Sequence, residues 1–191
     1  NIVVKKNVPE ILSRELAKKR GSILIGSVTE AYQPCEEIYE ITRKSLIKML
    51  YYQPETTILT KSDLVLRDLD IISRFEKIEV GFTINTLDEK FKRIIEPNSP
   101  SIERILNVLE KINVRKYVMI APVHKNIMNE IENMFRIFSD LDVSYIIMDR
   151  FRYRNGMNEN ILPYFQVDLK KLKNFALEIS KKYDLKVYFS F

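Results

Sequence analysis

Several polar residues of this chain sit where apolar runs end, and their types suit the capture of a small charged ligand. Ser27, Thr29 and Glu30 close the run that starts at Ile23. Lys61 follows Thr57 to Thr60, Thr83 and Asn85 lie in Ile78 to Thr86, and Ala121 and Pro122 end a run from Tyr117. The Lys61 cation can hold a carboxylate or phosphate. It reads equally as a solvated lysine in a loop. Thr83 and Asn85 are two residues apart, so on a strand they share one face, opposite Phe82 and Ile84. Polar groups turned into a buried strand need partners, which a ligand or a neighbouring backbone can supply.

Other chemistry-bearing residues stand alone. The single cysteine, Cys35, follows Pro34 near an expected helix start, where the dipole would lower its pKa. A lone cysteine is more often inert. The single histidine, His124, is a general acid or base by type, but its place after Ala121-Pro122-Val123 reads first as a surface loop. Arg150-Phe151-Arg152-Tyr153-Arg154 interleaves guanidiniums, which contact phosphates, with aromatics, which stack on bases. The competing reading is a solvated loop that buries Phe151 and Tyr153. No G-x-G-x-x-G or G-x-x-x-x-G-K-[ST] is present, which argues against a standard dinucleotide or P-loop site. One histidine and one cysteine cannot build a His/Cys zinc site.

Parallel strands joined by helices bring such run ends to one edge of a sheet, where ligands bind in barrels and in open α/β sheets. The chain alternates accordingly. Strands are expected at Ile23 to Val28, Thr57 to Thr60, Ile78 to Ile84, Tyr117 to Ile120, Val143 to Met148 and Leu185 to Phe191. Helices are expected from Val8 to about Lys19, and from Glu36 through Ile38, Ile41, Leu46 and Met49. Others follow Ser62 or Asp63, Asp88, the Ser99-Pro100 pair, Asn126 and Asp168, each of which suits a helix start. Residues 149–163 read as an irregular loop around Asn155-Gly156. The nearly continuous apolar runs fit parallel strands covered on both faces, an α/β architecture. The pattern alone does not separate a partial (βα) barrel from a doubly wound sheet.

The 191 residues carry no linker, repeat or low-complexity tract, so a single domain over 1–191 is expected. At 46% hydrophobic and 30% charged, the composition is globular rather than disordered. No apolar run approaches the roughly 20 residues of a membrane span, and no signal peptide is visible. One cysteine excludes an intramolecular disulfide and fits a reducing cytoplasm. The net charge of +5 is weak support for a polyanionic partner.

Taken in order, the words G-S-V-T-E-A-Y-Q-P-C-E-E, L-T-K-S-D-L-V-L-R-D-L-D, G-F-T-I-N-T-L-D-E-K, I-I-E-P-N-S-P-S-I-E-R and M-I-A-P-V resemble the spore photoproduct lyase-like branch of the radical SAM superfamily. These are the DNA repair photolyase-related proteins. The resemblance covers about residues 1–150, and T-K-S-D-L-V-L-R-D and E-P-N-S-P-S-x-E-R are its more specific parts. It implies a partial (βα)6 TIM-like barrel that cleaves S-adenosylmethionine reductively at a [4Fe–4S] cluster. The cosubstrate's methionine would lie by Ser27, Thr29 and Glu30, with Lys61 in contact. Thr83 would meet the ribose, with Asn85 nearby, and backbone from Met119 to Pro122, Ala121 included, would face the adenine.

Two departures go with the resemblance. The superfamily holds its cluster with a C-x-x-x-C-x-x-C loop, and this chain has no such triplet, so its residues are expected to supply no cluster ligand. The chain starts at Asn1, and the expectation is that the cluster-binding part lies upstream in a longer protein. A cluster-free relative is the alternative. Spore photoproduct lyases also place a hydrogen-donating cysteine where Ser27 stands, with Cys35 eight residues on, which speaks against repair of that lesion. The implied function is a radical S-adenosylmethionine enzyme with nucleic acid as a candidate substrate. The rival is an α/β module that binds nucleic acid through Arg150 to Arg154.

Overall fold

β-Branched residues are frequent in the short strands, and helices connect each strand to the next. In the computed structural model, residues 3–157 and 159–191 are described. The strands are β1 (Ile23–Ile25), β2 (Thr56–Thr60), β3 (Ile78–Thr83), β4 (Arg115–Ile120), β5 (Tyr145–Met148) and β6 (Lys186–Phe189). They form one parallel sheet in the order β1-β2-β3-β4-β5-β6. Each strand therefore lies beside its successor. A doubly wound sheet reverses its strand order at a switch point; this one does not, and its topology is that of a partial (βα)6 barrel.

The chain divides into two compact units. The first runs to Gly81 and takes in Lys111–Arg115; the second comprises Phe82–Glu110 and Lys116–Phe191. Strand β3 contributes its first four residues to the first unit and Phe82 and Thr83 to the second.

In the first unit, α1 (Val8–Leu16) ends three residues short of the expected Lys19. β1 stops at Ile25 rather than Val28 because Gly26 turns the chain with φ 90°, against the β2 backbone. A Cβ at Gly26 would lie 2.0 Å from the Leu59 carbonyl oxygen, so only glycine fits. The helix expected from Glu36 through Met49 is two helices, α2 (Glu36–Tyr39) and α3 (Ile41–Leu50). Glu40 breaks them with a left-handed φ of 51°. The Glu36 carboxylate then accepts from Thr42 N (3.0 Å) and Arg43 N (3.3 Å), capping α3 from six residues upstream. Ile38 consequently points outward, 77% exposed. After β2, Ser62 accepts from Leu64 N and opens a 3-10 helix (Asp63–Asp68) that continues as α4 (Leu69–Ile72). Leu46, Met49, Ile58, Val65, Ile72 and Val80 are fully buried and form this unit's core.

In the second unit, Asp88 caps α5 (Glu89–Ile95) by accepting from Lys90 N and Phe91 N. The cap of α6 (Ile102–Lys111) is Ser101, whose Oγ accepts from Arg104 N; Ser99 instead donates to the Glu96 carbonyl. Helix α7 (Ile127–Asp140) buries Ile131, Met134, Phe135 and Phe138 completely, each worth about 1.5–3 kcal/mol. Asn126 precedes it without a side-chain capping bond. The loop expected over 149–163 closes early in a 3-10 helix (Glu159–Phe165), and its Asn158 lies outside the described residues. Asp168 caps α8 (Leu169–Lys182) through Lys171 N. Among the described residues no helix is long and apolar enough to cross a membrane.

Candidate functional site

In the first unit, the turn that Gly26 creates carries Ser27, Val28 and Thr29 exposed after β1, while Glu30 folds back partly buried. Its carboxylate takes three donors. Thr60 Oγ1 lies 2.5 Å and Tyr32 N 3.0 Å from Oε1, and Lys61 N lies 2.8 Å from Oε2. Charge-assisted bonds of this kind are the strong ones. Glu30 thus clamps the loop after β1 to the end of β2. Of the residues singled out from sequence, Glu30 and Lys61 meet directly through the Lys61 backbone, with Ser27 and Thr29 on the same turn.

Behind this turn lies an ionic network. Arg67 donates to Glu36 Oε1 (3.0 Å), to the Glu36 carbonyl (2.9 Å) and to Asp68 Oδ1 (2.7 Å). Arg43 reaches Asp68 at 3.0 Å and Asp70 at 2.8 Å. Asp68 is wholly buried and Tyr32 nearly so. Burial, with Asp68 nearby, pushes the Tyr32 phenol pKa up. Two words of the sequence, Q-P-C-E-E and T-K-S-D-L-V-L-R-D, are therefore bolted together by Glu36 and Arg67. Cys35 is half-buried beside them.

In the second unit, buried polar residues gather at the ends of β3 and β4. Thr83, Asn85 and Thr86 are at most 6% exposed, and His124 is not exposed at all. Ile84 N donates to the Met119 carbonyl (3.0 Å), which holds the end of β3 beside β4 and the Ala121-Pro122 corner. Glu130, in the first turn of α7, accepts from Thr86 Oγ1 (2.8 Å) and Leu87 N (2.6 Å). His124 Nε2 stands 3.5 Å from Glu130 Oε1, and the imidazole packs at 4.6 Å on Phe91. The ring approaches the Asn85 carbonyl and the Glu130 carboxylate without full hydrogen-bond geometry to either. Burial lowers its pKa from the ordinary 6.5, against the opposing pull of Glu130 and Asp88. The expected surface-loop histidine is thus a core group, because the α7 start folds Val123 and Ile127 inward on either side of it.

Asn85 Nδ2 donates to Glu96 Oε1 at 3.4 Å, and Lys92 Nζ lies 3.6 Å from Glu96 Oε2. The Thr83 hydroxyl has no hydrogen bond among the described residues. Glu130, Lys92 and Glu96 were not evident as site neighbours from sequence. Glu96 had a signal, since it opens the E-P-N-S-P stretch; Glu130 and Lys92 had none.

Of Arg150 to Arg154, Phe151 is half-buried and the other four residues are exposed. Arg152 pairs with Asp149 and donates to the Ser190 carbonyl, and Phe151 stacks at 4.5 Å on Phe165. Tyr153 stays exposed, contrary to its expected burial. Among the described residues no cluster of three His, Cys, Asp or Glu side chains is placed to hold a metal ion.

The chain is 33% identical over 186 residues to an uncharacterized protein of Methanocaldococcus jannaschii, and covers 63% of its length. It spans less than two thirds of that relative. No protein-family model matches it. In fold it is similar to a spore photoproduct lyase variant, with TM-score 0.72 at 13% identity, over 100% of this chain and 67% of that one. Streptococcus suis SuiB bound to S-adenosylmethionine gives 0.70 at 16%, over 100% and 44%. A spore photoproduct lyase with bound AdoMet and dinucleoside spore photoproduct gives 0.70 at 12%, over 100% and 67%.

Proposed function

We propose that this chain is the S-adenosylmethionine-binding core of a radical SAM enzyme. One observation carries the reading: its whole length adopts the fold of two kinds of protein that hold S-adenosylmethionine, a lyase and SuiB. The residues proposed to contact the cosubstrate are Ser27, Thr29, Glu30, Lys61, Thr83, Asn85 and Ala121. The second unit's residues fit a nucleoside, since a buried hydroxyl and a buried amide at a strand end match sugar hydroxyls. In the first unit Glu30 already takes three protein donors, of the roughly four a carboxylate can hold. It holds the Thr29 turn and the Lys61 backbone in place, and Oε2, with one protein donor, keeps room to accept from the ligand.

The reaction of this class draws its electron from a [4Fe–4S] cluster. The residues present do not fit that group, because three thiolates are needed and the chain has Cys35 alone. The cluster would therefore be ligated by residues outside this sequence, and the part played by the present residues is to bind and orient the cosubstrate. A nucleic acid is the first substrate class to test, because the lyase neighbour holds a dinucleoside. Ser27 in place of the hydrogen-donating cysteine points to a substrate other than spore photoproduct. The test is anaerobic reconstitution of the complete gene product with iron and sulfide, then assay for 5′-deoxyadenosine. Cluster absorbance with cosubstrate cleavage supports the reading; a complete protein with neither overturns it.

A further inference from the structure

Glu96 follows α5 directly, its N–H bonded to the Lys92 carbonyl at 2.7 Å, and Pro97 stops the helix there. Its side chain turns back to the end of β3. A carboxylate can only accept, so Asn85 must present its NH2 to Glu96 Oε1, 3.4 Å away. The Asn85 carbonyl oxygen then faces the opposite way. Lys92, 3% exposed in its side chain, lies against the other Glu96 oxygen at 3.6 Å and offsets its charge. Among the described residues nothing donates to Asn85 Oδ1, although the residue is only 2% exposed. Asn85 Oδ1 is not among the fully buried atoms left without a partner, so it keeps an accessible edge at which a ligand hydroxyl can donate to it.

We propose that Glu96, steadied by Lys92, is a positioning residue that locks the Asn85 amide with its carbonyl oxygen ready to accept from a ribose hydroxyl of the bound nucleoside. The inference deepens the function proposed above and rests on it. Lys92 and Glu96 lie one helical turn apart on α5, so the helix that Asp88 starts also delivers the pair to the strand end. The same geometry accounts for the E-P-N-S-P stretch, in which the glutamate reaches back to Asn85 while the proline ends the helix behind it.

The test uses the complete protein and isothermal titration with S-adenosylhomocysteine and its 2′-deoxy and 3′-deoxy analogues, so that no cluster chemistry is needed. The wild type should bind the parent at least about tenfold tighter than one of the deoxy analogues, the value of one well-placed hydrogen bond. Glu96→Gln lets the amide turn either way and should cut that ratio to below about threefold. Asn85→Ala should abolish the ratio, and adding Glu96→Gln to it should change nothing more, since the glutamate acts only through Asn85. Glu96→Asp, which withdraws the carboxylate by one methylene, should behave like Glu96→Gln and serves if that variant does not fold. Melting temperatures verify folding in each case. An unchanged ratio in the Glu96 variants, or additive effects of the Glu96 and Asn85 changes, overturns the proposal while leaving the proposed function intact. No binding of S-adenosylhomocysteine by the folded wild type overturns both.

Discussion

Glu30 and Lys61, thirty-one residues apart, meet through a 2.8 Å hydrogen bond from the Lys61 backbone to the Glu30 carboxylate. The contact fixes where β2 ends and aims the Lys61 side chain from a defined start. The Glu30 carboxylate accepts from the Tyr32 and Lys61 N–H groups and from the Thr60 hydroxyl.

Glu30→Ala should therefore destabilise the fold by about 2–4 kcal/mol, because it strands two backbone N–H groups and one hydroxyl. Glu30→Gln, with one accepting oxygen, should cost less, about 1–2 kcal/mol. Urea denaturation of the two variants checks this. Wild-type stability in Glu30→Ala would show that the clamp is not structural.

Asp68 is the wholly buried centre of the first unit's ionic network, held by Arg43 and Arg67. Asp68→Ala leaves two guanidiniums facing one another with their shared counter-charge gone, and should cost about 3–5 kcal/mol. Asp70, at the exposed edge of the same network, should be replaceable by Ala with little change. Equal effects at the two positions would contradict this ranking.

His124 makes stability depend on pH in a predictable direction. Burial sets its folded pKa below the ordinary 6.5, so on acidification the unfolded chain takes up the proton first. The stability present above pH 6.5 is then lost as the pH falls through that value towards the folded pKa, at no more than about 1.4 kcal/mol per pH unit. His124→Phe removes the titrating group and should flatten that part of the curve. Parallel stability curves for wild type and variant between neutral and mildly acid pH would refute the assignment.

Much of the fold was legible because its signals are local. Apolar runs marked six strands, and Ser62, Asp88 and Asp168 cap where a short polar side chain precedes a periodic segment. Failures came where distant groups decide. Glu40 favours helix by type, yet the Glu36 carboxylate caps α3 and the chain breaks between them. Ser101 rather than Ser99 caps α6 because Ser99 is turned to the Glu96 carbonyl. In the site, strand-end position pointed to Glu30, Lys61, Thr83 and Asn85. That Glu30 would take three protein donors, and that Glu96 would return to Asn85, depends on contacts no spacing encodes. A single histidine likewise carries no periodicity from which its burial could be read.

The most direct measurement is made on the complete, anaerobically reconstituted gene product with dithionite and S-adenosylmethionine. Formation of 5′-deoxyadenosine, reduced at least about tenfold by Lys61→Ala or Asn85→Ala in proteins that melt like the wild type, is the predicted result. A folded, fully reconstituted protein that neither binds nor cleaves S-adenosylmethionine would contradict the proposed function.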